Sequence, residues 1–123
     1  GHQAGDRALE TVSRISKTVV RRADNLARYG GEEFVAILPG TTKAEGMRLA
    51  ERLRETIERE TTATLSNGVP RKITVSAGVS SFPDDADDRE KLIFCADGAL
   101  YEAKRAGKNR VRSYRKPSTL RNP

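Results

Sequence analysis

The stretch that most constrains the fold is Arg28-Tyr29-Gly30-Gly31-Glu32-Glu33-Phe34. A polar–apolar run over residues 25–29 leads into it, and an alternating run, Phe34-Val35-Ala36-Ile37-Leu38, leads out. Two glycines between two short extended runs predict a β-hairpin, because glycine enters positive-φ turns without a Cβ penalty. A plain hairpin does not need adjacent carboxylates at its bend. On a strand, Glu32 and Glu33 point to opposite faces, so they can address two objects, such as a metal ion and a reacting hydroxyl. The bare amides of Gly30 and Gly31 can approach a phosphate closely. The same residues also suit a solvated turn guarded by charges, and the chemistry of this stretch alone leaves both readings open.

A chain of 123 residues is expected to form one domain around a single modest core. It has no apolar run of about eighteen residues, so no helical membrane span is expected. Its first residues lack the basic-then-apolar pattern of an export signal. The cytoplasm is the expected location of the domain, in a parent protein that is free to be membrane-attached. The lone Cys95 cannot form an internal disulfide and is expected to be a packed thiol in an apolar helical stretch. One cysteine and one histidine exclude a structural zinc site.

The net charge of +6 is unevenly placed. Lys104, Arg105, Lys108, Arg110, Arg112, Arg115, Lys116 and Arg121 follow Glu102 with no acid among them, which leaves the rest of the chain slightly acidic. One basic end suits phosphate groups in general. No aromatic residues alternate with this run as a stacking platform would, so nucleic acid is not an expected partner.

Along the chain, Gly1-His2-Gln3-Ala4-Gly5 reads as a turn and Asp6 as the cap of a helix over residues 7–22, with Leu9, Val12, Ile15, Val19 and Val20 on its apolar stripe. After the hairpin and the Pro39-Gly40 breaker, Thr42 and Glu45 form a capping-box signature. The helix they open runs to about residue 60 and shows Met47, Ala50, Leu53 and Ile57 on one face. Residues 63–65 are a short strand candidate, Ser66-Asn67-Gly68 a turn, and residues 71–79 the partner strand, with Ile73, Val75, Ala77 and Val79 facing the core. The acidic run after Pro83 imitates a calcium loop but lacks its alternating ligand spacing, and it reads as a solvated loop and helix cap. A helix over residues 89–106 buries Leu92, Ile93, Ala96, Ala99, Leu100 and Ala103 and ends at Gly107. A last short strand covers residues 110–114, and the tail over 117–123 is expected to fray. The resulting order, α β β α β β α β, predicts antiparallel hairpins with helices packed on one face.

Four pieces of this chain, in order, resemble the signatures of the GGDEF (diguanylate cyclase) family. They are Gly1-His2-Gln3-Ala4-Gly5-Asp6, the Arg28–Phe34 stretch, Thr74-Val75-Ser76-Ala77-Gly78-Val79, and Ala96-Asp97-Gly98-Ala99-Leu100-Tyr101-Glu102-Ala103-Lys104 with Gly107-Lys108-Asn109. The resemblance assigns residues 1–115 to the domain and 116–123 to a basic tail. It implies an α+β fold, palm-like and related to nucleotide cyclases and ferredoxin-like folds, with an antiparallel sheet and flanking helices. It also implies condensation of two GTP into cyclic di-GMP and two pyrophosphates by a homodimer that places one GTP in each domain. Mg2+ or Mn2+ is the implied cofactor, and an upstream sensory domain the implied neighbour in the parent.

Residue by residue, the resemblance implies that Glu32 is the metal-binding catalytic carboxylate and Glu33 an auxiliary carboxylate near the attacking hydroxyl. It makes Gly30 and Gly31 the phosphate-approaching turn. His2 and Asp6 fall at substrate-binding positions, Asp6 toward the guanine edge. Lys104 matches a triphosphate-binding lysine. Lys108 stands where the family often has arginine, so charge is kept and a bidentate fork is lost. Arg21 and Asp24 match the RxxD motif of product inhibition by cyclic di-GMP, with Arg52 as a supporting arginine. The alternative within the resemblance is a catalytically incompetent domain that binds cyclic di-GMP or GTP as a regulatory module. The family's first, central strand, which carries a metal-binding aspartate, has no counterpart in this sequence. The expectation is an N-terminally truncated domain, or one whose strand another chain supplies by swapping. On that reading the parent protein cyclises GTP and these residues alone do not.

Overall fold

The computed structural model describes residues 2–63 and 72–116. The first helix, α1 (His2–Val19), buries Val12, Ile15 and Val19 along its predicted stripe. It starts earlier than expected: residues 2–5 are helical rather than a turn, and Asp6 lies inside the helix, exposed, rather than capping it. Glycine costs about 1 kcal/mol in a helix interior, so Gly5 alone does not stop a helix that is packed further along. The helix also ends three residues short of the expected Arg22, in a turn in which the Asp24 amide donates to the Arg21 carbonyl at 3.0 Å.

The hairpin follows as β1 (Asn25–Gly30) and β2 (Glu33–Ile37), antiparallel, with Asn25 opposite Ile37, Arg28 opposite Phe34 and Gly30 opposite Glu33. The register slips between Arg28 and Gly30, which leaves Tyr29 as an extra residue in β1.

Helix α2 (Lys43–Ala63) opens with the capping box predicted from the sequence. The Thr42 amide donates to Glu45 Oε1 at 2.9 Å, and the Glu45 amide donates to Thr42 Oγ1 at 3.1 Å. The helix extends to Ala63, past the expected stop, so the strand candidate at 63–65 begins in helix. The remainder of that strand and the turn at Ser66-Asn67-Gly68 lie outside the described residues. At the end of α2, buried Thr61 donates to the Ile57 carbonyl and accepts the Ile73 amide at 3.0 Å, which ties the chain after residue 71 back onto the helix.

Of the strand expected over residues 71–79, the described part, 72–79, is regular only at β3 (Ala77–Val79). Among the described residues its partner is β4 (Val111–Ser113), in parallel, with Ala77 opposite Val111 and Val79 opposite Ser113. A parallel pair needs a crossover, and α3 (Arg89–Arg105) supplies it. The Asp88 side chain caps α3 by accepting the Lys91 amide at 2.8 Å, as the acidic run suggested. Gly107, at φ 128°, ends it. Cys95, Ala99 and Ala103 are buried beneath α3, and Leu92, Ile93, Ala96 and Leu100 are half-buried. Cys95 is therefore the packed thiol expected.

Val12, Ile15 and Ile57 form the centre of the core, with Phe34, Leu53, Ile73 and Val75 packed against it. The core thus joins α1, α2 and the inner face of the hairpin, while α3 packs on β3 and β4. Two polar hubs brace the outside. Arg54 on α2 donates to Glu51, Glu58 and Asn109, and the two carboxylates, Glu51 foremost, hold its guanidinium above its ordinary pKa. Lys43 bridges the buried Asp85 carboxylate and the Tyr114 carbonyl, linking the start of α2 to the loop before α3 and the end of β4. Among the described residues, β2 pairs only with β1 and β3 only with β4, so the sheet is in two halves. No described helix is long and apolar enough to cross a membrane.

Candidate functional site

Glu32 occupies the bend of the hairpin and is exposed, whereas Glu33 opens β2 and is half-buried. The bend is held from below: Arg28 Nη2 donates to the Gly31 carbonyl at 2.7 Å, and its Nε to the same oxygen at 3.3 Å. Neither Gly30 nor Gly31 has a positive φ, contrary to the expectation; among the described residues Gly40 and Gly107 are the glycines that do. What the structure shows at Gly30 and Gly31 is open space. A Cβ at either would meet nothing within 4 Å, so the bend presents bare backbone beneath open space.

Apart from the backbone pairing of Glu33 with Gly30, the side chains of Glu32 and Glu33 make no hydrogen bond or ion pair among the described residues. This separates them from the acids that build the fold. Asp24, Glu45, Glu51 and Glu58 all engage neighbours that hold their pKa values below the ordinary carboxylate range, and Asp85 is bridged to Lys43. The two hairpin carboxylates do no such work. Their oxygens suit a hard divalent cation of the Mg2+ type, which takes one or two carboxylates and fills its remaining positions with phosphate and water oxygens. No group of three or more His, Cys, Asp or Glu that could form a complete cage exists among the described residues, and such a cation does not need one.

The other predicted substrate residues are spread over two further elements. His2 is the first residue of α1, and exposed Asp6 follows one turn later, with no bonded partner described for its carboxylate. Lys104 lies in the last turn of α3. Lys108 follows in a left-handed conformation at φ 65°, and its amide donates to the Ala103 carbonyl at 3.0 Å. Both lysines are exposed, and no described hydrogen bond ties either side chain to the hairpin. The structure therefore unites Glu32, Glu33, Gly30 and Gly31 on one bend and leaves Asp6, Lys104 and Lys108 as separate, uncommitted groups.

The Arg21–Asp24 pair is built differently. The Arg21 amide donates to Asp24 Oδ2 at 2.8 Å, Nε donates to Oδ2 at 3.2 Å, and Nη2 to Oδ1 at 3.1 Å. Nη2 also reaches the Pro39 carbonyl at 3.3 Å and the Thr41 hydroxyl. The Asp24 side chain is enclosed while that of Arg21 is 51% exposed. The Arg21 hydrogen bond holds the Asp24 carboxyl below its ordinary pKa, and the same bond raises that of Arg21. Arg52 Nη2 donates to the Val19 carbonyl at 3.2 Å, which brings it to the end of α1 just ahead of Arg21. The three residues are thus drawn to one corner. Sequence reasoning missed Pro39 and Thr41, which close that corner from the β2–α2 link; a proline and a threonine after a strand carry no signal for a partner eighteen or twenty positions upstream.

Comparison with known proteins gives a consistent picture. The family profile described as diguanylate cyclase, GGDEF domain, matches residues 1–110. Diguanylate cyclase A of Treponema denticola is 43% identical over 111 residues, covering 90% of this chain and 29% of that protein. The active GGEEF domain of a diguanylate cyclase from Vibrio cholerae is 32% identical with a TM-score of 0.83, covering 95% of this chain and 72% of that one. The GGDEF domain of DgcB from Caulobacter crescentus, solved in complex with c-di-GMP, is 32% identical with a TM-score of 0.76, covering 92% of this chain and 66% of that one. The fold is the palm-like α+β fold of these domains. The chain spans less than a third of the length of the first curated relatives it matches.

Proposed function

Because the chain belongs to the GGDEF family, we propose that it forms the hairpin-bearing part of a domain that condenses two GTP into cyclic di-GMP. In each of two steps a ribose 3′-hydroxyl attacks the α-phosphate of the other GTP. A P–O bond forms to that oxygen, the bond to the pyrophosphate breaks, and the hydroxyl proton leaves to solvent or a base. Two such transfers close the ring and release two pyrophosphates. A Mg2+ or Mn2+ ion, when bound, would neutralise phosphate charge and lower the pKa of the attacking hydroxyl.

One observation carries this reading: two adjacent carboxylates on an open, side-chain-free bend, uncommitted to the fold. Glu32 supplies the metal ligand, and Glu33, on the strand beside it, orients the attacking hydroxyl. Gly30 and Gly31 let phosphate oxygens reach backbone amides. Asp6 accepts from the guanine N1–H and N2–H2 edge, and His2, the first residue of the same helix, is a further substrate-binding residue. Lys104 and Lys108 place positive charge at the triphosphate, the electrostatic stabilisation on which phosphoryl transfer chiefly depends. Since each domain holds one GTP, the working unit is a homodimer with two hairpins facing each other. Among the described residues no third acid is gathered with the hairpin carboxylates, and in this reading turnover belongs to the parent protein rather than to the isolated chain.

Arg21, Asp24 and Arg52 form the cyclic di-GMP inhibitory site in this reading. Arg21 is half exposed although bonded, so its fork can exchange Asp24 for a product phosphate while Asp24 turns to accept from guanine. A regulatory module that only binds cyclic di-GMP would need this corner but not the free hairpin carboxylates. The test is to incubate the full-length parent with GTP and Mg2+ or Mn2+ and separate the products by chromatography. Cyclic di-GMP with two equivalents of pyrophosphate supports the proposal, and GTP left intact with both metals overturns it.

A further inference from the structure

The outward face of α3 carries an aromatic stripe that neither the core nor the proposed chemistry uses. Phe94 is 77% exposed and Tyr101 60% exposed. They lie seven positions apart, two helical turns, on the side opposite buried Cys95, Ala99 and Ala103. Gly98 sits between them, and a Cβ built there meets nothing within 4 Å, so the stripe has a notch flanked by two aromatic knobs. Exposed Glu90 stands one turn before Phe94 and exposed Arg105 one turn after Tyr101. The Arg105 guanidinium lies 5.8 Å from the centre of the Tyr101 ring, so it extends along the stripe.

We propose that this stripe docks against the same stripe of a second copy of the chain, with the two α3 helices antiparallel and a two-fold axis passing between Asp97 and Gly98. The order of residues selects that occupant. Reversed about this point, Phe94 of one copy meets Tyr101 of the other, and Glu90 meets Arg105. The aromatic pairs therefore match and the end charges are opposite, twice over, as a closed two-fold interface requires. A parallel arrangement would instead set Glu90 beside Glu90 and Arg105 beside Arg105. The notch at Gly98 lets the helix backbones approach at the centre. The cost is that the two copies of Asp97 flank the axis, where exposure to water screens their repulsion.

Helix α3 packs on β3 and β4, so this contact is separate from the hairpin. A single helix face buries less than the ~800 Å² per partner of a standard interface. The pairing is accordingly weak, with a Kd on the order of 100 µM, and is effective where another attachment raises the local concentration.

The test is sedimentation equilibrium of the full 123-residue chain, with circular dichroism as a check that each variant is folded. Phe94→Glu is expected to weaken self-association about tenfold or more, since it places a charge at two symmetric contacts. Glu90→Arg is expected to weaken it by about fivefold, and Glu90→Arg combined with Arg105→Glu to restore it to within about twofold of the original. All three positions are exposed, so the fold does not depend on them. A chain that stays monomeric at about 1 mM, association indifferent to Phe94→Glu, or a double charge reversal that fails to restore pairing would each overturn the proposal.

Discussion

Substituting Gly78 by alanine is expected to be among the most damaging single-methyl changes in the protein. A Cβ built on Gly78 would stand 2.1 Å from the Ala96 carbonyl oxygen, 2.3 Å from the Leu100 amide nitrogen and 2.9 Å from the Ala99 carbonyl carbon. Ala96 and Leu100 are one helical hydrogen-bond step apart, so the methyl group would wedge into a backbone bond of α3. All three near atoms are backbone, and no side chain can swing aside. To reach ordinary contact at about 3.4 Å, α3 would have to withdraw by more than 1 Å from β3, opening the packing around Cys95, Ala99 and Ala103. Overpacking of this kind costs about 1–3 kcal/mol where side chains can yield, so the top of that range, about 3 kcal/mol, is the expectation here. For a domain of this size that corresponds to a fall of about 10 °C in Tm. Gly98→Ala on the same helix is the control: with open space at its Cβ, it should leave stability unchanged or raise it by up to about 1 kcal/mol. Thermal and urea melts of both variants provide the assay. A Gly78→Ala protein within about 0.5 kcal/mol of the parent would refute the reasoning that the glycine in Ser76-Ala77-Gly78-Val79 is there for helix–strand contact.

Thr61→Val keeps the shape of the buried side chain but removes the acceptor of the half-buried Ile73 amide, and should cost about 1–2 kcal/mol by urea melt; a neutral change would mean that this link is not a structural one. Arg21→Ala should raise the concentration of cyclic di-GMP needed to inhibit the parent while leaving initial turnover intact, and unchanged inhibition would remove the product site from that corner. Asp24, Glu45, Glu51 and Glu58 have depressed pKa values, so their contribution is present above the ordinary carboxylate range and is lost as the pH falls through the depressed values. Melting temperature should therefore hold steady at neutral pH and drop below about pH 4, and a drop already complete at pH 6 would point to other groups.

The parts legible in the sequence were those with local causes. Thr42 and Glu45 announced their capping box, Asp88 its cap, and α3 its buried stripe, because each signal and its partner lie within a few residues. Periodicity also found the hairpin, but one of the two reasons it gave for Gly30 and Gly31 does not hold: neither has a positive φ, while the open space that close approach of a phosphate would need is there. Pairing across distance was not legible. Residues 71–79 are β-branched and alternate, yet among the described residues of that run only Ala77–Val79 is a strand, and its parallel partner is reached through a whole helix. The role of Gly78 depends on the backbone of α3, twenty residues on, and that of Thr41 on Arg21, twenty residues back. The candidate site followed the same rule: the bend could be read directly, whereas the contrast between its unengaged carboxylates and the bonded Asp24, Glu45, Glu51, Glu58 and Asp85 emerged only from the structure.

The central claim is that those free carboxylates serve chemistry and not folding. Its most direct measurement is GTP turnover by the full-length parent carrying Glu32→Ala, alongside binding of cyclic di-GMP by the same variant. The account predicts turnover reduced by about 10²-fold or more, with cyclic di-GMP affinity and Tm unchanged. Turnover near that of the unmodified protein would contradict it.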